Sequence, residues 1–322
     1  MRTRLLVPAL VLPLALAACG DAGVAEPLSA SSDTRTVAHS AGTTEVPVDP
    51  QRIVTTTDQN ALLPLLELGV TPVGSAGLVG SDGSQTFRRT EGFDTDGVAF
   101  TGAYGEPNLE AVAALEPDLI VGYEFDAEFY DDLSRIAPTV LVQIFDRPLT
   151  DALEEFAALV GREERSAELH AAYDRRVAAL REALDGRTET LSVTLVSAGD
   201  PGTFYRADTG QALGTVMTDL GLPQPAAQAA DSGDDAVSLE QLGTRDADVV
   251  LVVDYGGENP DPGTETLLAS PTYQRLAAVR AGQAHVIDGT RAVGAAWARM
   301  DAFLDLLEQH LVDARDDVVQ EG

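Results

Sequence analysis

The chain has 322 residues, 44% of them hydrophobic, with a single cysteine. That is enough apolar material for one large domain or two smaller lobes, and a lone cysteine excludes both an internal disulfide and a zinc site built from cysteines. The 52 acidic and 21 basic residues leave a net charge of −31, which argues against a nucleic-acid partner; every basic residue is an arginine, so an anionic ligand has to be met by locally placed arginines.

The first four residues, Met-Arg-Thr-Arg, are followed by an apolar run from Leu5 to Leu16. This run is shorter than the roughly 20 residues a membrane-spanning helix needs, and with the small residues after it, it reads as a secretory signal peptide over 1–18. The segment Leu16-Ala17-Ala18-Cys19 resembles the lipobox of bacterial lipoproteins, which implies cleavage before Cys19 and lipidation of its thiol. Small polar residues over 19–35 predict a flexible tether, so the expected location is the outer face of a membrane, held by a lipid anchor.

Beyond the tether, weak alternation over 36–48 predicts a hairpin around Ala41-Gly42-Thr43, and Arg52-Ile53-Val54 a short strand. Asp58 is placed to cap a helix over 60–68 that ends at Gly69. Residues 77–98, rich in Gly, Ser, Asp and Thr, read as a long loop. A helix capped by Asn108 and the apolar strand 118–121 follow, then a helix over 126–135 and a strand over 139–142; alternation of this kind predicts an α/β sheet. Residues 149–186 carry helical periodicity without a strand signal and predict a helical connector. Strands resume over 191–196, 248–253 and 285–287, with helices over 211–220 and 297–312. The expected architecture is two α/β lobes, 36–148 and 187–322, joined by a long rigid connector with a ligand cleft between them.

Two segments echo each other at an offset of 130 residues. Asn108-Leu109-Glu110 precedes Asp118-Leu119-Ile120-Val121, and Ser238-Leu239-Glu240 precedes Asp248-Val249-Val250-Leu251. Each reads as a capped helix, a turn and a buried strand, used once per lobe. Both glutamates fall in a first helical turn, where the helix dipole alone favours them by about 0.3–1 kcal/mol.

Pro50-Gln51-Arg52-Ile53-Val54, Leu65-Leu66-Glu67-Leu68-Gly69-Val70-Thr71-Pro72-Val73-Gly74, Gly105-Glu106-Pro107-Asn108-Leu109-Glu110, Leu115-Glu116-Pro117-Asp118-Leu119-Ile120 and Val237-Ser238-Leu239-Glu240-Gln241-Leu242 occur in order behind the lipobox. Together they resemble the substrate-binding lipoproteins of ABC importers for ferric siderophores, haem and cobalamin. The resemblance implies a monomer that catches a ferric siderophore or similar chelate and presents it to a permease dimer. Glu110 and Glu240 take the positions of the family's permease-docking glutamates. It implies no enzyme activity, no bound cofactor and no metal site in the protein itself, iron arriving already chelated.

The loops after the strands then supply the candidate ligand residues: Tyr104, Tyr123 and Glu124 in the first lobe, Phe204, Tyr205 and Arg206 in the second, with Tyr255 and Trp297 also in reach. Arg206 and Arg299 are the preferred arginines, followed by Arg88, Arg89 and Arg291, because guanidinium groups pair with anionic oxygens and stack on flat rings. The absence of lysine and the acidic Glu106, Glu124, Asp126 and Asp254 in the same loops leave a ferric hydroxamate, a corrinoid or haem open as ligand. A bare-metal binder finds no support, since His39, His170, His285 and His310 show no metal-ligand spacing. A secreted hydrolase lacks a Gly-x-Ser-x-Gly elbow or a His-Glu-x-x-His helix. A sensor-coupled binding lipoprotein would share the same cleft.

Overall fold

The computed structural model describes residues 33–207, 211–230, 235–257 and 259–313; the predicted signal peptide, Cys19 and nearly all of the tether lie outside them. An N-terminal hairpin, β1 (Thr34–His39) and β2 (Gly42–Pro47), precedes two mixed sheets. The first is built from β3 (Ile53–Thr55), β4 (Gly74–Val79), β5 (Gln85–Thr86), β6 (Ala99–Ala103), β7 (Glu106–Pro107), β8 (Leu119–Tyr123) and β9 (Thr139–Val142), in the order β7-β6-β4-β3-β8-β9 with β5 on β4. The second has β10 (Val193–Ala198), β11 (Thr203–Arg206), β12 (Val237–Ser238), β13 (Val249–Asp254) and β14 (Ala284–Asp288), in the order β12-β11-β10-β13-β14.

The 130-residue echo has a structural basis. Asp118, just before β8, accepts the backbone N–H groups of Gln51 (2.7 Å) and Arg52 (2.9 Å) at the entry to β3. Asp248, just before β13, accepts the N–H (2.8 Å) and hydroxyl (2.6 Å) of Ser192 at the entry to β10. In each lobe the strand after the aspartate pairs in parallel with the strand it pins, Ile53 opposite Leu119 and Val193 opposite Val249. One carboxylate thus satisfies the first free donors of a neighbouring strand and fixes its register. Strand β13, flanked on both sides and buried throughout, is an uninterrupted Val-Val-Leu-Val-Val, as a strand covered on both faces requires.

The lobes are joined by helices Leu149–Leu159 and Glu163–Ala183, the latter of 21 residues. A single core runs through the joint: Val121 and Val142 of the first sheet, Phe156 and Tyr173 of the connector, and Leu251 of the second sheet belong to one buried cluster. The final helix, Trp297–Glu308, packs on the long connector helix. Here the structure corrects one expectation. Trp297 is only 2% exposed and its ring lies against His170 and Tyr173 of the connector, at 4.9 and 5.9 Å between ring centroids. It anchors the helix and is not a wall of the cleft.

Other differences are local. Residues 203–206 form β11 instead of a loop, because they pair antiparallel with β10, and this buries Phe204 completely in the second lobe's core. The helix expected over 126–135 is a 3-10 turn, Glu124–Phe129, followed by a short helix, Tyr130–Leu133. The helix expected over 60–68 begins as a wide turn at Asp58 and becomes regular from Leu63.

Candidate ligand-binding cleft

The parallel strands β3, β4, β8 and β9 end on one edge of their sheet, and the loops leaving that edge carry the polar and aromatic groups of the first lobe. The most buried is Asp58, in the turn after β3, whose side chain is fully inaccessible. It accepts the backbone N–H of Arg88 at 2.7 Å, and from the Arg88 guanidinium it takes two further bonds, Nε at 3.0 Å and Nη2 at 2.6 Å. The expected helix cap is therefore an anchor for the loop over 85–90. Arg88 in turn lies over the Tyr104 ring, 3.7 Å from its centroid. Arg88 and Tyr104, both named from the sequence, are in contact, but Arg88 already has its counter-ion.

Arg89 is different. Its φ is +58°, a left-handed conformation that a non-glycine residue adopts at a cost of about 1 kcal/mol or more. This turns its side chain across to the second lobe, where Nη1 donates to the Thr290 carbonyl at 3.2 Å. Arg299, in the first turn of the final helix, reaches back and donates to the carbonyls of Arg89 and, at 3.4 Å, Arg291. Among the described residues neither Arg89 nor Arg299 forms an ion pair, and the Nε of each is buried without a partner. Burial pushes both guanidinium groups below their ordinary pKa; Arg88 adds to this at Arg89 and Arg89 at Arg299, while the Glu91 carboxylate offsets part of it at both. Two like charges are thus held together, partly dehydrated, with donors to spare. In a chain of charge −31 this is a local cluster of positive charge, offset only in part by Glu91, Asp288 and Glu67 nearby, where an anion can be received. Tyr255, 41% exposed, packs beside Gly289 within electrostatic reach of Arg89. Arg291 is largely exposed and faces Asp305 at 3.8 Å.

The second-lobe candidates Tyr205 and Arg206 have contacts of their own. Tyr205 lies beside Gly199, and Arg206 donates to the Gln224 side chain at 3.0 Å. Both follow from β11 being a paired strand.

Several contacts close the cleft from behind. Ala295 N–H donates to the Gln59 carbonyl at 2.9 Å, and the Gln211 amide to Asn60 Oδ1 at 3.2 Å. Gly294 has φ +111°, and a Cβ there would come within 2.9 Å of the Gln59 carbonyl, so only glycine allows this approach. Glu67, at the end of the first-lobe helix, accepts the N–H groups of Trp297 (2.7 Å) and Ala298 (2.8 Å). This carboxylate from one lobe caps the helix of the other and sets the position of Arg299 two residues on.

Beside Tyr123, Asp126 is buried and accepts the Thr56 hydroxyl at 2.5 Å and the Tyr123 N–H at 3.1 Å. Gly122 has no Cβ to obstruct this bond; one would fall 2.6 Å from Thr56 Oγ1. Burial pushes the Asp126 carboxyl up to about 6 and the Tyr123 phenol up to about 12. Because Asp126 holds its proton more tightly folded than unfolded, its ionisation opposes folding: stability falls as pH rises from about 4 to about 6, then stays level. From the shift, the loss is on the order of 2–3 kcal/mol. Asp126→Asn should remove this fall, read as the difference in urea midpoint between pH 4 and pH 7.

Among the described residues no group of three or more His, Cys, Asp or Glu side chains converges on a point that could hold a metal ion. His285 and His310 lie with ring centroids 4.7 Å apart and planes tilted by 31°.

Two lobes on a shared core, with arginines where their loops meet, form the architecture of a two-lobed binding protein. The chain belongs to the periplasmic binding protein family, whose model matches residues 53–290; its members bind ligands and do not catalyse. The chain is 32% identical to the probable siderophore-binding lipoprotein YfiY of Bacillus subtilis, over 80% of this chain and 81% of that protein. Among solved structures, Staphylococcus aureus SirA complexed with staphyloferrin B is similar, with 25% identity, a TM-score of 0.73, and coverage of 86% and 98%. The siderophore periplasmic binding protein from the fuscachelin gene cluster of Thermobifida fusca is also similar, with 30% identity, a TM-score of 0.63, and coverage of 83% and 98%.

Proposed function

We propose that this chain is the extracytoplasmic binding lipoprotein of an ABC importer, that it captures a ferric siderophore, and that Arg89 and Arg299 hold the anionic oxygens of the chelate. The observation that carries this reading is the pair of guanidinium groups, one from each lobe, that share a site without an ion-pair partner among the described residues. Because they come from opposite lobes, a ligand bridging them favours the closed arrangement over the open one by its differential affinity. The ligands named for the similar proteins, siderophores in each case, point to the same chemistry.

Delivery would run through Glu110 and Glu240. Both are exposed, each in the first turn of a short helix capped by the preceding residue, Asn108 or Ser238, and each following a two-residue strand, β7 or β12. Neither side chain donates to or accepts from any described residue, so both carboxylates are available to arginines of a permease. The anchor at Cys19 would keep the protein at the membrane where that permease lies. The double variant Glu110→Arg/Glu240→Arg is expected to lower cellular uptake of iron from its ferric chelate at least tenfold while leaving affinity in solution within twofold. Undiminished uptake would remove the docking role. Calorimetry of the purified chain with ferric hydroxamate, ferric catecholate, ferric citrate, haem and cobalamin tests the ligand; saturation only by haem or cobalamin would overturn the siderophore reading.

A further inference from the structure

The loops leaving β8 and β9 bring three aromatic rings into a row. Tyr123 meets Phe125 at 5.4 Å between centroids with planes 59° apart, and Phe125 lies on Phe145 at 5.0 Å and 19°, a stacked pair. Phe145 is half-buried and packs on the main core, so it supports Phe125 from below. Phe125 itself is 62% exposed, more than any other large exposed hydrophobic side chain among the described residues. A ring backed by a stacked partner on one side and open to water on the other is a platform for another flat ring.

The row leaves the same sheet edge as the arginine-bearing loops: Asp126, next to Phe125, accepts the hydroxyl of Thr56, two residues before the Asp58 that anchors the loop carrying Arg88 and Arg89. The Glu124 carboxylate is turned under the loops, where it accepts the N–H groups of Ile144 (3.1 Å) and Phe145 (2.7 Å) and the Gln143 amide (3.1 Å). It ties the β8 loop to the β9 loop and so holds Phe125 over Phe145.

Resting on the ferric-chelate reading above, we infer that Phe125 is a specificity-determining residue, and that the ligand is a ferric chelate whose iron-binding oxygens are carried on aromatic rings, a catecholate or phenolate. The arginines take the negative charge of the complex and Phe125 takes the face of one of its rings. A purely aliphatic chelate such as ferric citrate would satisfy the arginines and leave the platform bare.

The test is calorimetry of the full chain, purified in detergent, with a synthetic hexadentate ferric tris-catecholate and with ferric citrate. The expected result is that the wild type prefers the tris-catecholate, that Phe125→Ala weakens it at least tenfold while changing ferric citrate less than twofold, and that Phe125→Trp keeps the preference. Equal weakening of both chelates, no weakening of either, or a wild-type preference for ferric citrate overturns the inference. The two levels separate cleanly. If Arg89→Ala weakens both chelates and Phe125→Ala neither, the aromatic inference alone fails; if the wild type binds no ferric chelate at all, the ferric-chelate reading fails and this inference with it.

Discussion

Replacing Arg89 and Arg299 together by alanine should weaken binding of an anionic ferric chelate at least ~100-fold without unfolding the protein. A hydrogen bond to a charged group is worth about 1.5–3 kcal/mol, and each 1.4 kcal/mol is a factor of ten in affinity. Two such groups lost from a partly dehydrated site therefore remove about two to four powers of ten. Folding should respond differently. Each guanidinium is held below its ordinary pKa by burial and by its neighbour's charge, so removal relieves repulsion while giving up bonds to the Thr290, Arg89 and Arg291 carbonyls. These effects oppose each other, and the melting midpoint should stay within a few degrees. Arg89→Lys should recover only part of the affinity, since an ammonium group cannot present a planar fork to two oxygens. A double variant that binds the chelate as the wild type does would place the ligand elsewhere.

Asp58→Ala is expected to have the largest effect on stability, about 3–5 kcal/mol, as for removal of one partner of a buried ion pair. The aspartate is fully buried and holds three donors of Arg88 as well as the Gln59 N–H, so its loss strands a cation and frees the loop over 85–90. Since Arg89 and Tyr104 are positioned through that loop, ligand affinity should fall with stability. Asp58→Leu/Arg88→Met removes both charges and should recover much of the stability without the affinity. Urea unfolding of Asp58→Leu, Arg88→Met and their double variant gives the coupling between the pair directly; a loss below 1 kcal/mol for Asp58→Ala would mean that water reaches Arg88 and the pair is not buried in solution.

Much of this architecture is legible in the sequence because parallel strands and their helices leave strong local signals. The short β-branched run Val249–Val253 has the length and composition of a strand covered on both faces, and the 149–186 periodicity is helical. The repeated Glu-to-Asp spacing was readable too, although the aspartates' task of pinning the adjacent strand is visible only once β3 and β10 are in place. What was not legible depends on contacts distant in sequence. Residues 203–206 look like a loop until they pair with β10. Trp297 looks like a ligand residue until the connector covers it. Asp58 has the signature of a cap, and its pairing with Arg88, 30 residues on, leaves no local trace. Arg206 and Arg299 were indistinguishable as arginines; what separates them is that the final helix starts against Glu67 of the other lobe, while Arg206 faces Gln224 within its own. Phe125 gave no signal at all, because nothing in Glu124-Phe125-Asp126 separates an exposed ring from a buried one until the fold is seen.

The burial of Trp297 makes the protein its own optical gauge. It is the only indole in the chain, it lies against the connector helix, and its backbone is held by a carboxylate from the opposite lobe. Its emission should be blue-shifted, resistant to quenching by iodide and insensitive to which chelate occupies the cleft. A change in its wavelength or anisotropy on loading would measure strain arriving at the joint. A spectrum that stays constant while calorimetry records saturation would mean that the joint is stiff and that closure, if it occurs, is confined to the loops around Arg89 and Phe125.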